Sequence, residues 1–345
     1  MIKDCFGKPL PKNAYVIRHT EVGDFLNCPR RWMFLSHNGL NLEPSSVNDK
    51  LRIGTIWHKV MEAYYNPENE DYSKQPAEEA LATALQEDKA DLEAKIGDAI
   101  YYEENINRMA QEEELLRILL EGYVPWSIEE ADPPDKEFEV QSVEKRFVVP
   151  LSSPTGGKTH AYLAVKTDGI VERNNYLWVL EHKTRGVSTK VSDPEGLALD
   201  LQLGLQILAL QLAVSGHGVD AKVRGAIYNL VRKQKPGPRV KSPIYGRHPV
   251  FRSETEIENL HVSLYNTYKQ MRQTTSAVRK YGWEAAQNTR YNPQIWGGVC
   301  TWGCPVKNIC EAVNRGDDVD YLLTVDLKPR DRDIWQVLEE EMNED

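Results

Sequence analysis

The strongest constraint in this chain is the stretch 168–184, DGIVERNNYLWVLEHKT, which predicts two short strands joined by a polar turn at residues 172–175. Side chains alternate between the two faces of a strand, so Glu181 and Lys183 should share one face of the second strand. Asp168 is then expected at the same edge of a small sheet. Two carboxylates suit a hard divalent cation such as magnesium, and a neighbouring ammonium can steady a charged transition state. The alternative is a surface hairpin with solvated charges.

Length and composition limit the class of protein. The 345 residues can bury one large core or two modest ones, and 41% hydrophobic with 27% charged residues is typical of a soluble globular chain. No uncharged apolar run approaches the roughly 20 residues of a membrane span, and the N-terminus lacks the apolar centre of a signal peptide. We therefore expect a cytoplasmic protein without a membrane partner. A net charge of −10 argues against a nucleic-acid coat protein but leaves room for an enzyme with a local basic groove.

Two segments suggest contacts with phosphate. Residues 222–252 carry nine Lys or Arg and no acid, as expected of a loop that follows a phosphate backbone or, equally, of a solvated flexible loop. Residues 152–159, SSPTGGKT, resemble a phosphate-binding loop, but that pattern needs glycine in place of Ser152 and a helix after Thr159. The sequence predicts a strand there, so we interpret the segment as a hairpin turn. A nucleotide-hydrolysing protein built on this loop is an alternative function.

Helical periodicity predicts helices on both sides of these strands. A helix capped by Thr20 should end near Gly39, with a kink or break at Cys28-Pro29. Gly54 and His58 fall on one side of the next helix. Further predicted segments are helices at 51–65, 197–214 and 253–281, two or three helices within 75–125, a peripheral helix near the end of the chain, and strands at 138–151, 159–171 and 223–231.

Two glutamines interrupt a strongly apolar helix. Gln202 and Gln206 lie one turn apart in the predicted helix 197–214. Buried amides need hydrogen-bond partners, and an active-site edge would supply them. The alternative is that both amides lie on an exposed polar stripe.

The C-terminal part of the chain carries a cysteine cluster, Cys300, Cys304 and Cys310, which are three of only five cysteines. The odd total and the expected cytoplasmic location argue against disulfides. Three thiolates make an incomplete site, because iron–sulfur clusters and structural zinc usually take four ligands. Cys28 is the natural fourth ligand, since proline follows it as proline follows Cys304, and Cys5 is then the spare.

Together these features resemble the RecB-like branch of the PD-(D/E)XK nuclease superfamily. The likeness is to its iron–sulfur members, which include the AddB nuclease domain and the Cas-type exonucleases, and it extends from about Thr20 to Cys310. The motifs occur in the family order, which is Cys28, Gly54 with His58, Asp168, Glu181 with Lys183, Gln202, and then Cys300, Cys304 and Cys310. The Glu-His-Lys-Thr motif is similar to that of phage-encoded members, which suggests the cytoplasm of a bacterium or of a phage-infected host.

The resemblance implies an α/β fold with a restriction-endonuclease-like core, in which helices flank a mixed central sheet. It also implies that Asp168 and Glu181 hold one or two magnesium or manganese ions. The backbone carbonyl of His182 and the side chain of His58 would complete that metal site.

The resemblance implies catalytic roles for two further residues. Lys183 would position or activate the attacking water, and Gln202 would hold that lysine or the DNA. Gln206 stands where the family often has tyrosine, so the contact that the tyrosine makes is not expected here.

The cysteines would ligate a [4Fe–4S] cluster that links the two ends of the chain, with zinc as the less favoured metal. The implied ligands are Cys28, Cys300, Cys304 and Cys310. The spacing departs from the family pattern, because three residues separate Cys300 from Cys304 where the family often has two.

The implied organisation has five regions. They are N-terminal helices with the first cluster cysteine and Gly-xxx-His (1–60), a helical insertion (61–136), the nuclease core (137–252), a C-terminal helix with the cysteine cluster (253–312) and an acidic tail (313–345). The function expected from the resemblance is a metal-dependent deoxyribonuclease, an exonuclease that acts on single-stranded DNA or duplex ends. An inactive DNA-binding or scaffold protein of the same fold is the alternative.

Overall fold

The computed structural model describes residues 2–45, 52–69, 72–94, 99–129, 138–186, 188, 191, 196–216, 222–237, 244–293 and 298–343. The strands are β1 (Tyr15–Arg18), β2 (Leu42–Pro44), β3 (Glu139–Val143), β4 (Arg146–Pro150), β5 (Ala161–Lys166), β6 (Gly169–Arg173), β7 (Tyr176–Arg185), β8 (Lys222–Arg232), β9 (Tyr245–Phe251) and β10 (Leu327–Pro329). The helices are α1 (His19–Asn27), α2 (Pro29–Leu35), α3 (Arg52–Tyr64), α4 (Lys74–Ala94), α5 (Ala99–Val124), α6 (Leu201–Gly216), α7 (Glu254–Tyr281), α8 (Val299–Trp302), α9 (Lys307–Arg315), α10 (Asp320–Asp326) and α11 (Ile334–Asn343).

The larger sheet has the strand order β3-β6-β7-β8-β9. β7 and β8 pair in parallel, and the other neighbours pair antiparallel, so the predicted mixed sheet is confirmed. β6 and β7 form the predicted hairpin, in which Arg173 pairs with Tyr176. Asn174 and Asn175 have φ angles of 53° and 60°, and this left-handed pair makes a two-residue turn that matches the twist of the strands.

A smaller sheet has the order β1-β5-β4. β4 and β5 are antiparallel, and the residues between them form a turn in which Gly156 has a φ of 83°. The interpretation of SSPTGGKT as a hairpin is therefore confirmed, and the phosphate-loop alternative is wrong because a strand follows Lys158. The predicted strand 138–151 is two strands, because Glu144 takes a φ of 48° and turns the chain between the sheets.

The two faces of β7 contact different layers of helices. Val179 packs into a core that includes α6 and α7, whereas Trp178 and Leu180 pack into a core that includes α3, α4 and α5. The predicted alternation along this strand is therefore confirmed. The 75–125 helices cover the strand face opposite to Glu181, and no helix in the described ranges is long and apolar enough to cross a membrane.

The N-terminal helices differ in detail from the prediction. The predicted break is present, since α1 ends at Asn27 and α2 begins at Pro29. The capping role of Thr20 is wrong, because β1 runs directly into α1 and the N-cap is Arg18, which makes no side-chain cap bond. The second helix ends at Leu35 because Ser36 already has an extended backbone.

Candidate active site

The candidate active site lies where β6 and β7 meet the first turns of α6. Asp168 lies in the bend between β5 and β6, and its neighbour Gly169 pairs with Leu180 across the hairpin. This register brings Asp168 beside Glu181, and the alternation along β7 brings Lys183 to the same side. Glu181 is 1% exposed, so its carboxylate lies inside the protein.

Asp168 is held by two histidines. Its Oδ1 lies 3.1 Å from Nδ1 of His58, and its Oδ2 accepts a hydrogen bond of 2.7 Å from the backbone N–H of His182. Burial alone would raise the pKa of Asp168, but the hydrogen bond and charge of His58 outweigh burial and lower this pKa to about 2. Burial lowers the pKa of His58, but its contact with Asp168 outweighs burial and the net pKa is raised. The contact therefore stabilises the charged forms of both groups relative to their neutral forms.

Glu181 is held by α6. Nε2 of Gln202 donates to its Oε1 at 2.7 Å, and Nε2 of Gln206 donates to its Oε2 at 2.7 Å. Burial and the charge of Asp168 raise the pKa of Glu181 to about 7, and the ion pair with Lys183 offsets part of that rise. Gln206 is 1% exposed, so an exposed polar stripe is the wrong interpretation for this residue.

Lys183 is a charged donor at this site. Burial lowers its pKa, but the charge and hydrogen bond of Glu181 outweigh burial, so the net pKa is raised. Its Nζ donates to Oε1 of Gln202 at 3.2 Å. Gln202 thus accepts from the lysine with its oxygen and donates to Glu181 with its nitrogen. An ammonium carries three donors and no acceptor, so Lys183 acts as a cation and hydrogen-bond donor at neutral pH.

The His182 side chain points to the opposite face of β7. Its Nδ1 lies 2.7 Å from Nδ2 of Asn229, and because an amide nitrogen only donates, Nδ1 is the acceptor. The ring stacks on Tyr65 with 5.2 Å between centroids. Burial lowers the pKa of His182 to about 3, so the ring is neutral. Only the backbone of His182 is therefore available near Asp168.

Behind His182 lies a buried polar network that sequence analysis missed. The hydroxyl of Tyr123 accepts from Nδ2 of Asn229 at 2.6 Å and lies 2.6 Å from the hydroxyl of Tyr65. A guanidinium nitrogen of Arg247 donates to the Tyr65 and Tyr123 hydroxyls at 2.8 and 3.1 Å. Through Tyr123, α5 contacts Asn229 on β8, the strand that pairs with β7 beside Glu181.

The basic segment 222–252 makes several contacts inside the protein. Arg232 is 5% exposed, Arg247 joins the tyrosine network, and Arg252 donates to backbone carbonyls including that of Leu197. Arg239 and Lys241 lie outside the described residues. Arg232, Arg247 and Arg252 therefore have structural roles within the protein.

Comparison with known protein families gives a match over residues 19–311, to the model of the PD-(D/E)XK nuclease superfamily. The chain belongs to this superfamily. A search of curated proteins found no similar sequence. Members of the PD-(D/E)XK superfamily are typically nucleases that act on DNA with magnesium or a similar divalent cation, and the superfamily predicted from the sequence is thus confirmed.

This PD-(D/E)XK protein carries a further carboxylate that the sequence analysis did not identify. Glu144, in the turn between β3 and β4, offers a ligand atom that lies within 4.8 Å of those of His58 and Asp168. The turn is fixed beside the site because the N–H of Glu144 donates to the carbonyl of Asp168 at 2.9 Å. Glu144 also forms an ion pair with Lys166. The only local signal was the break in strand character at Glu144-Lys145.

The cysteines named in the sequence analysis come from both ends of the fold. A guanidinium nitrogen of Arg30, two residues after Cys28, donates to Sγ of Cys310 at 3.3 Å, which joins α2 to α9. Burial raises the pKa of the Cys304 thiol, and the nearby thiols of Cys300 and Cys28 raise it further. Cys28 and Cys300 are therefore near enough to Cys304 to perturb its thiol, and Cys310 is linked to α2 through Arg30. Cys5 is elsewhere, with its N–H bonded to the carbonyl of Val148.

Proposed function

We propose that this chain is a metal-dependent DNA nuclease, and specifically an exonuclease on single-stranded or frayed ends. The observation that carries the proposal is the convergence of Asp168, Glu181 and Lys183 on one side of the central strand pair β6–β7 in a member of the PD-(D/E)XK superfamily. A relative that had decayed to a binding or scaffold protein would be expected to lose one of the three. The preference for exonuclease action rests on the resemblance to the AddB nuclease domain and the Cas-type exonucleases.

The chemistry of the donor groups supports a hard divalent cation. Carboxylate oxygens with one imidazole suit magnesium or manganese better than a soft metal. We assign Asp168 and Glu181 as principal ligands, with His58 and the backbone carbonyl of His182, and we add Glu144 because of its position beside His58 and Asp168. A bound cation would neutralise charge on the scissile phosphate and polarise its oxygens.

The remaining roles follow from the hydrogen bonds around Glu181. Lys183, as an ammonium, would donate to a phosphate oxygen or position the attacking water. Gln202 bridges Lys183 and Glu181 and would hold the lysine in place during the reaction. Gln206 would fix the second oxygen of Glu181, a positioning role.

We also infer that Cys28, Cys300, Cys304 and Cys310 hold a [4Fe–4S] cluster, with zinc as the alternative. The influence of Cys28 and Cys300 on the Cys304 thiol, and the hydrogen bond from Arg30 of α2 to Cys310, support the assignment. A cluster that joins α2 to the C-terminal helices would stabilise the fold as a long-range crosslink does. An iron–sulfur protein absorbs visible light and a zinc protein does not, so the absorbance of the purified protein distinguishes the two.

The experiment that tests the function uses end-labelled linear single-stranded and duplex DNA with manganese, magnesium or EDTA. We expect cleavage that requires the cation, and a product ladder that gives the polarity. A circular single strand is the matched control for end dependence. Its cleavage under the same conditions would overturn the exonuclease assignment, and failure of the folded, metal-loaded protein to cut any DNA would favour the binding-protein alternative.

A further inference from the structure

Two adjoining clefts run along α7, on a part of the protein that the proposed active site does not use. Their volumes are about 520 and 400 Å³, and His160, Tyr268, Arg272 and Ser276 line both. We call the pair the α7 groove. One wall is α7, and the other contains Lys158 and His160, which lie just before β5.

The α7 groove is basic although the chain as a whole is acidic. Its cations are Lys12, Lys158, Lys269, Arg272 and Arg279, and none of the described residues that line it is Asp or Glu. The sequence of α7 contains no acid after Glu258. Within the described part of the chain these five cations form no ion pair. A row of unpaired cations is complementary to a row of phosphates.

The shape of the α7 groove is maintained by contacts between its walls. His261 of α7 lies 2.9 Å from the carbonyl of Ser152 in the β4–β5 hairpin. The hydroxyls of Tyr15 and Thr275 lie 2.8 Å apart and fix β1 to the same helix. The segment that resembles a phosphate-binding loop therefore contributes Lys158 to a groove wall rather than a nucleotide cradle.

Aromatic side chains accompany the charges. Nζ of Lys269 lies 5.2 Å from the ring centroid of half-buried Tyr265, and Arg272 donates to the hydroxyl of Tyr268 at 3.1 Å. Half-buried Trp335 lines the smaller of the two clefts, the one of about 400 Å³. Cations that follow a backbone, with aromatic rings beside them, are the features that bind unpaired nucleic-acid strands without sequence preference.

We propose that the α7 groove binds the sugar–phosphate backbone of a single DNA strand at a distance from the cleavage site. This inference rests on the proposed nuclease function. β5 connects the two places, since the groove lies at its start and Asp168 follows its end. The seven residue steps from Ala161 to Asp168 span roughly 20 Å in extended chain, which about seven stacked nucleotides would cover. Strands shorter than this would not occupy both places.

The test measures binding of fluorescent single strands by anisotropy in EDTA, where no cleavage occurs. The probes are a long strand of about 30 nucleotides and a short one of about four, a length that cannot span both places. The groove variant is Lys269→Gln with Arg272→Gln. The control variant is Lys89→Gln with Lys307→Gln, two exposed lysines that do not line the groove.

For the long strand we expect the groove variant to bind more weakly, with the slope of log affinity against log salt reduced by about 1.4, since each lost single-strand phosphate contact accounts for about 0.7. The control variant should bind the long strand as wild type does. With metal present, the groove variant should cleave the short strand at the wild-type rate. Equal affinity and equal slope in the groove variant would overturn the inference while the nuclease proposal stands. Absence of any DNA binding by wild type would instead overturn the proposed function on which the inference rests.

Discussion

The buried carboxylate of Glu181 provides a test of the site that does not depend on catalysis. Burial and Asp168 raise its pKa from an ordinary 4.5 to about 7. Between these values the folded protein holds a proton that the unfolded chain has released, so the free energy of unfolding falls as pH rises through this window. Glu181→Gln removes the titration, so the variant should gain stability relative to wild type as pH rises from about 4.5 to about 7.

The size of the effect follows from the shift. A change of about 2.5 pKa units, at about 1.4 kcal/mol per unit, amounts to roughly 3 kcal/mol between the two ends of the window. The substitution also removes the ion pair with Lys183, but this lysine stays protonated throughout the window. The attraction between this lysine and the ionised carboxylate is already included in the pKa of about 7, so loss of the pair adds no pH dependence beyond that of Glu181 itself.

The assay is urea unfolding of metal-free protein in EDTA at several pH values across the window. Glu139→Gln, at an exposed position on β3, is the control for the same change of side chain. A stability difference between Glu181→Gln and wild type that stays constant with pH would refute the reasoning.

Three further outcomes are expected. Glu144→Gln should weaken binding of manganese, measured by the paramagnetic resonance of free Mn²⁺ without any DNA, because the variant loses one carboxylate near His58; unchanged affinity would remove Glu144 from the ligand set. Asn229→Leu should lower the free energy of unfolding by about 1–3 kcal/mol, because it leaves the buried Nδ1 of His182 without its donor and removes one of the donors to Tyr123, and a neutral result in urea unfolding would contradict this. Cys28→Ser should lower the melting temperature and any visible absorbance together, whereas full stability with retained metal would show that the four-cysteine assignment is wrong.

Local patterns in the sequence predicted the parts of the fold that are set by near neighbours. The β6–β7 hairpin could be placed because its turn residues Asn174 and Asn175 accept left-handed backbone and because the strand alternates cleanly. The same alternation indicated that Glu181 and Lys183 share a face. Two errors were local: the direct junction of β1 with α1 replaced the expected cap at Thr20, and the turn at Glu144 divided the strand predicted at 138–151.

Long-range contacts could not be predicted in this way. Asn229 and Tyr123 are 106 residues apart, and neither has a local pattern that indicates a hydrogen bond between them. Glu144 meets Asp168 only because a turn between two sheets places it there. The sequence predicted that a buried Gln206 would find hydrogen-bond partners at an active site. It could not identify Glu181 as that partner, because the bond depends on how α6 packs on β7.

The most direct test of the central claim compares wild type with Lys183→Ala in cleavage of end-labelled linear DNA with manganese. Lys89→Ala, at an exposed position on α4, is the matched control. We expect wild type and the control to cut the DNA only when the cation is present, and the folded Lys183→Ala protein to lose about a hundredfold or more in rate, as expected when a positioned charge at the reacting phosphate is removed. Cleavage by Lys183→Ala at the wild-type rate would contradict the assignment of this site as the nuclease centre.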